Sequence, residues 1–275
     1  LRDLRIEDVR VSPSRLHTLE ECELNWVIGD LGGDPGTATA GLGTIIQAAL
    51  EHSLTPSGAV VDEEQLWAHV QERWGELDFE APWRDRAEQA RARDLVRRLH
   101  AYLQGFELAG GRLVGAEPHF EIPLAVGAAG EESAHGAVLS GYIDRGELTP
   151  DGTVVIVDLK TGKNEPQTDA AVVDNPQLAA YQLAFESGAI PAAAGLPPGG
   201  AKLLVLRPHA TTKQYAQPWQ PPFDDERRQA FLQRVHDAVE VMRGTGFVAP
   251  FEEHCRKDHS YGLCRIHTIG AVSAS

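Results

Sequence analysis

Asp144, Asp158 and Lys160 are the residues whose types and spacing point most directly to chemistry. They lie in GYIDRGELTPDGTVVIVDLK, residues 141–160, which reads as two strands joined by a turn. Val154-Val155-Ile156-Val157 is a β-branched apolar run of the kind buried on both faces of a sheet. Pro150-Asp151-Gly152 supplies turn chemistry before it. Strand alternation puts Asp158 and Lys160 on one face and Leu159 on the other. A carboxylate and an ammonium thus emerge together at the end of a buried strand, and Asp144 meets them if the two strands pair. Converging carboxylates repel unless a cation lies between them. Hard ions such as Mg²⁺ are held by one or two carboxylates plus substrate phosphate. A neighbouring lysine can orient an attacking water or stabilise charge building on a phosphate. The bland alternative is a plain hairpin with an Asp–Lys ion pair at its rim, and D-x-K alone is too short to exclude it.

The flanking elements decide whether such a cluster forms. Residues 1–10 read as a linker or first strand, and Ser12 caps a helix with Pro13 at its first position. Residues 29–43 read as a Gly-rich loop and 44–52 as a second helix, carrying Gln47. Residues 62–74 and 82–102 are helical patterns. The second carries Arg84, Arg86, Arg91, Arg93, Arg97 and Arg98, with Asp85, Glu88 and Asp94 interleaved. Those arginines either meet a phosphate backbone or form a solvated face of i,i+3 and i,i+4 pairs, and the interleaving favours the latter. Residues 112–124 read as the first core strand, 137–148 and 153–160 as the next two, and 161–174 as a polar loop. Residues 175–186 form a helix with Pro176 in its first turn, on which Gln177 and Tyr181 share a face. A Pro/Gly/Ala loop over 190–200 leads to an apolar strand at 201–206 and an irregular stretch at 211–222. Residues 224–243 form a long helix whose stripe of Phe231, Val235, Val239 and Met242 is core.

Gly141-x-x-Asp144-Arg145, then Val157-Asp158-Leu159-Lys160-Thr161-Gly162, then Gln177-x-x-x-Tyr181 resembles the RecB-type nucleases of the PD-(D/E)xK superfamily. Val11-Ser12-Pro13-Ser14-Arg15-Leu16 with Cys22, and the closing Cys255 and Cys264, are similar to the family's two ends, so the resemblance spans nearly the whole chain. It looks most like the nuclease module of bacterial helicase–nuclease machines of the AddAB and AdnAB kind, which resect broken DNA ends. The resemblance implies catalysis by Asp144, Asp158 and Lys160. It implies Mg²⁺ or Mn²⁺ held by Asp144, Asp158 and the Leu159 carbonyl, with help from Glu117 and Gln47. It implies DNA, taken as a single strand, steered by Gln177 and Tyr181. Helicase motor domains on the same longer chain and a partner subunit complete the expectation. Where the family has a metal-binding His in G-x-x-x-H, this chain has Gly43-Thr44-Ile45-Ile46-Gln47. A Gln oxygen suits Mg²⁺ or is a non-ligating substitute. His52, five residues on, does not share that face. Glu117 either joins the site or is a surface Glu.

Many members carry an iron–sulfur cluster held by one early Cys and a late C-x₂-C-x₅-C. Cys22, Cys255 and Cys264 match three of those positions, and Asp258 stands at the fourth. Four thiolates are the usual set for a [4Fe–4S] cluster. Asp258 as a rare ligand, His254, His259 or His267 as substitutes, a Cys/His zinc site, or a cluster lost altogether all stay open.

The formal net charge of −15 works against generic affinity for nucleic acid, which rests on basic patches. Three cysteines are too few for a disulfide framework, no secretory signal is read, and no apolar run is long enough for a bilayer, so the expected setting is cytoplasmic and not membranous. The one Met is Met242, which reads as a C-terminal fragment of a longer subunit. The expected fold is α/β: a mixed central sheet of four or five strands flanked by helices, in a single domain. Within it, residues 1–105 are a helical region, 106–245 the catalytic core and 246–275 a Cys-containing tail. The competing expectation is a nuclease-like module that has lost its chemistry and serves as a DNA-binding scaffold for a partner. Intact Asp144, Asp158 and Lys160 favour the enzyme, whereas Gln47 and Asp258 favour the scaffold.

Overall fold

A computed structural model of the chain describes residues 7–30, 38–55, 58–77, 79, 81–124, 136–207 and 214–248. It is α/β, as expected, and its backbone clusters into two compact units. The first unit comprises Leu1–Pro35, Ile122–Ser140 and Gln229–Ser275, and the second comprises Gly36–Glu121 and Gly141–Arg228.

In the first unit, strand β1 (Val9–Val11) leads into α1 (Pro13–Glu21). Ser12 caps that helix by accepting from the Arg15 amide at 3.4 Å. Cys22 closes it and is buried, and α2 (Glu23–Asp30) follows directly.

The second unit carries the candidate site. Helix α3 (Ala38–Glu51) begins earlier than expected, inside the stretch read as a loop. Its glycines are packing contacts instead of breakers. A Cβ on Gly41 would come within 2.6 Å of Leu77, and one on Gly43 within 3.2 Å of Thr161. Helix α4 (Glu63–Glu72) starts from a full capping box between Asp62 and Gln65, and α5 (Pro82–Leu108) runs past its expected end at Tyr102. Strands β2 (Arg112–Ala116) and β3 (His119–Leu124) replace the single strand expected over 112–124. Pro118 has no N–H for a ladder, and Glu117 sits at φ +46°, so the strand breaks there.

The expected strand over 137–148 is likewise two, β4 (Ala137–Tyr142) and β5 (Arg145–Leu148), with Ile143 and Asp144 between them. The two breaks face each other. The Glu117 amide donates to the Asp144 carbonyl (3.2 Å), and the Ile143 amide donates to the Pro118 carbonyl (3.1 Å). Here the chain leaves one sheet for another. The three-stranded sheet runs β1-β4-β3, and the five-stranded sheet begins with β2 and β5.

Strand β6 (Val154–Lys160) pairs antiparallel with β5 through a tight turn at Gly152, where φ is +85°. The stretch read as a polar loop after it holds a short helix, α6 (Asp169–Val172), and α7 (Pro176–Glu186) then starts at an Asn175 cap. Strand β7 (Pro198–Val205) lies parallel to β6 and antiparallel to β8 (Trp219–Gln220), completing the order β2-β5-β6-β7-β8. Helix α8 (Asp225–Arg243) buries Phe231, Val235, Val239 and Met242 as its stripe predicts. Among the described residues no helix is long and apolar enough to cross a membrane.

Val157 and Leu204 of the sheet join Ile45, Leu66, Leu99 and Leu103 of α3–α5 in one core. A buried ionic network interrupts it. Arg145, 1% exposed, donates to Glu147 Oε1 at 2.6 Å. Glu147 Oε2 accepts from the Tyr102 hydroxyl at 2.6 Å and lies 3.2 Å from the Lys202 ammonium. The Arg145 guanidinium stands 5.3 Å over the Phe106 ring. Removing one partner of a buried pair strands the other's charge, which costs more than the pair contributes. Arg145→Met is therefore expected to destabilise the protein by about 3 kcal/mol in urea titration. Adding Glu147→Leu should recover part of that loss. A double variant less stable than the single would overturn this account.

Candidate active site

The alternation of β6 sends Val157 and Leu159 toward α3–α5, and Asp158 and Lys160 toward α7. The break before β5 then brings Asp144 in from the side. Its Oδ2 accepts from the Leu159 amide at 2.7 Å. The N–H and C=O of one residue leave a strand on the same side, so the Leu159 carbonyl also faces the Asp144 side.

Gln177, in the first turn of α7, ties the other half together. Its Oε1 accepts from Lys160 Nζ at 2.8 Å, and its Nε2 donates to Asp158 Oδ1 at 2.9 Å and to the Tyr181 hydroxyl at 3.0 Å. The amide can only be oriented this way, because an ammonium has no acceptor. Lys160 Nζ also stands 2.9 Å from Asp158 Oδ2 as an ion pair, yet that buried oxygen accepts no aligned hydrogen bond. Tyr181 is buried beside them, and its ring meets Phe120 edge-on at 6.2 Å.

Gln47 closes the Asp144 side. Its Nε2 donates to Asp144 Oδ1 at 3.0 Å and to Glu117 Oε1 at 2.8 Å. Gln47 reads in the sequence as an oxygen ligand or a non-ligating substitute, and in this arrangement it is a donor to both carboxyl groups. Its NH₂ faces an oxygen of each carboxyl group, which leaves the amide oxygen turned away from both. Glu117 belongs to the cluster, and its positive φ is the kind of local strain that collects at functional sites. Glu51 was not foreseen. It lies four residues after Gln47 on α3, and that i,i+4 spacing was the available signal. Its carboxyl is raised to about 7, by burial first and then by the hydrogen bond and negative charge of Glu117. His52 instead engages the Ala48 carbonyl at 2.8 Å.

Burial, and then the charge of Asp158, push Asp144 up to about 8. Burial would pull Lys160 down, but Asp158 outweighs it and holds the ammonium above its ordinary range. Burial followed by the two aspartates drives the Tyr181 hydroxyl well up. In the first unit Cys22 Sγ accepts from the Asn25 amide at 3.4 Å, while Cys255, Asp258 and Cys264 lie outside the described residues. Among the described residues no three His, Cys, Asp or Glu side chains converge closely enough to hold a metal by themselves. The basic helix behaves in part as its interleaving suggests, through Glu88 and Asp94, whereas Arg93 reaches to Glu64 on α4 and Asp85 accepts from Trp74 and Gln89. Arg91 pairs with Glu88, Arg93 with Glu64, and Arg97 and Arg98 with Asp94.

The raised carboxyls carry a definite sign. Unfolded, Asp144 and Glu51 lose their protons near 3.8 and 4.5, but folded they keep them to about 8 and about 7. The folded state then binds more protons across that window, so stability falls as pH rises through it. In EDTA the melting temperature should fall from about pH 4 to about pH 8, and Asp144→Asn should flatten the part between 7 and 8, above the Glu51 transition. A variant that keeps the wild-type slope there would show that Asp144 does not hold this proton.

No curated protein matches the chain. The solved structure of SSO0001 is 11% identical, with a TM-score of 0.44, covering 98% of this chain and 89% of that one. A likeness at that level carries no argument about function. The model of the PD-(D/E)XK nuclease superfamily matches residues 10–265, which include every residue of the Asp144–Asp158–Lys160 cluster. The chain belongs to the PD-(D/E)XK nuclease superfamily.

Proposed function

We propose that the chain is a metal-dependent deoxyribonuclease that hydrolyses phosphodiester bonds at Asp144, Asp158 and Lys160. The observation that carries this reading is the meeting of these groups at the end of β6: Lys160 Nζ stands 2.9 Å from Asp158 Oδ2, and Asp144 Oδ2 accepts from the amide of Leu159, the residue between them. Members of this superfamily typically use divalent ions such as Mg²⁺. The donors fit Mg²⁺ or Mn²⁺, since all are oxygens. Asp144 and Asp158 would hold the ion together with the Leu159 carbonyl, Glu117 and Gln47, the last after its amide turns over. Such an ion supplies Lewis acidity toward a phosphoryl oxygen and a more acidic bound water.

The chain's own residues do the rest by position. Lys160 stays an ammonium, so it does not abstract a proton. It donates to the attacking water or to a phosphoryl oxygen, where developing charge is best stabilised by a fixed donor. Gln177 holds Lys160 and Asp158 at their separation, and Tyr181 holds Gln177. Asp144 must release its proton before it ligates, which favours activity at neutral to alkaline pH.

The three RecB-like segments support a place in a helicase–nuclease that resects DNA ends. There the strand would be fed by motor domains on a longer chain working with a partner subunit. One observation favours a second reading, a module with weakened chemistry: Gln47 hydrogen-bonds the two carboxylates that would meet the ion.

Cleavage of end-labelled single-stranded DNA with Mg²⁺ or Mn²⁺ separates the two. The wild-type chain is expected to cut, and Asp158→Ala and Lys160→Ala to lose at least about 100-fold while remaining folded. No cutting by folded wild-type protein with either ion would shift the reading to a binding module.

A further inference from the structure

His119 and Tyr142 form an aromatic pair on the surface beside the site. Their ring centroids are 4.8 Å apart with the planes tilted by 56°. His119 is exposed, and Tyr142 is 57% exposed, among the most open large side chains described. Their placement is specific. His119 follows Glu117 by two residues, and Tyr142 precedes Asp144 by two. The paired breaks hold these segments side by side, through Glu117 N–H to Asp144 O (3.2 Å) and Ile143 N–H to Pro118 O (3.1 Å). At about 3.3 Å per residue, each ring is rooted within about 7 Å of a site carboxylate's Cα. The next residue on β3 points the other way, since Phe120 is buried against Tyr181.

We propose that His119 and Tyr142 are a stacking platform for an unpaired nucleobase of a single-stranded substrate, next to the nucleotide whose phosphate meets Asp144 and Asp158. The proposal rests on the nuclease reading for its ligand. Stacking suits an enzyme that acts along any sequence, because every base offers a π-face. It also suits this chain, whose net charge of −15 gives phosphates little general attraction. The competing explanation is a cross-strand pair that only stabilises its sheet.

The test uses the full chain in EDTA, so that nothing is cut, with fluorescence anisotropy of two dye-labelled strands. One is an oligodeoxythymidine, and the other has the same length and phosphates but abasic sugars. Wild type is expected to bind the base-bearing strand about tenfold more tightly, within the ~1–3 kcal/mol that stacking one base contributes. Tyr142→Leu should lose that margin and Tyr142→Trp should keep it, both at the wild-type melting temperature. His119→Ala provides a second route should Tyr142→Leu fail to fold. Equal affinity of wild type for both strands overturns the platform. So does a Tyr142→Leu protein that melts lower yet keeps the preference, which marks a structural pair. Cleavage with Mg²⁺ on the same preparations reports separately on the nuclease reading. Base preference without cleavage keeps the platform on a binding module, and cleavage without base preference removes the platform alone.

Discussion

Asp144 and Asp158 lose their water together at the end of β6, and the site is built around what that costs. A buried carboxylate is tolerated only when it is protonated, paired or hydrogen-bonded. Asp144 uses two of these means, a proton held to about 8 and donors from the Leu159 amide and Gln47. Asp158 uses the Lys160 ammonium and the Gln177 amide. One oxygen, Asp158 Oδ2, is left without a hydrogen bond. Its counter-charge is the Lys160 ammonium 2.9 Å away, so the negative charge buried at the end of β6 is balanced by ion pairing and protonation.

The scaffold that enforces this burial is itself costly. Val157 belongs to the core, so Asp158 cannot retreat without dragging β6 out of the sheet. Asp144 is placed by a strand break whose partner break holds Glu117 at positive φ. One residue after Asp144, Arg145 plunges into the network with Glu147, Tyr102 and Lys202. That network fixes the start of β5 against α5, and the start of β5 sets where Asp144 points. A charged group so deep in the core is a poor source of stability but a good source of register, because a slip by one residue would strand it.

Much of this was legible in the residues. The apolar run of β6, its turn and its Asp-Leu-Lys ending gave the strand, the shared face and the ion pair. Helix α7 with Gln177 and Tyr181 on one side followed from Pro176 and the four-residue spacing. The breaks at Glu117-Pro118 and Ile143-Asp144 were not legible, because both segments have strand composition and the breaks arise where the chain changes sheets. Helix α3 was read too short because Gly41 and Gly43 look like breakers, and only Leu77 and Thr161 packed against them explain why Gly is needed. The direction of the Gln47 amide depends on which groups face it, and those lie 70 and 97 residues away. Glu51 shares the face of Gln47 by the four-residue helix period, but nothing local distinguishes it from a solvated glutamate until Glu117 packs beside it.

The acidity of the chain remains the sharpest constraint on any account in which it handles nucleic acid. The arginines of α5 are largely spent, on Glu88, Glu64 and Asp94 and on the Thr161 and Gln214 carbonyls. A strand is then not gathered by a broad field of positive charge, since each phosphate contact depends on a lysine or arginine that is available. The two local means proposed above are the carboxylates of Asp144 and Asp158, which would hold a divalent cation, and the exposed rings of His119 and Tyr142, which would stack a base. Both act at a single nucleotide, and neither depends on sequence. In the proposed function, contact with one nucleotide at a time is the reason delivery of the strand is assigned to other domains and not to a field of charge on this chain.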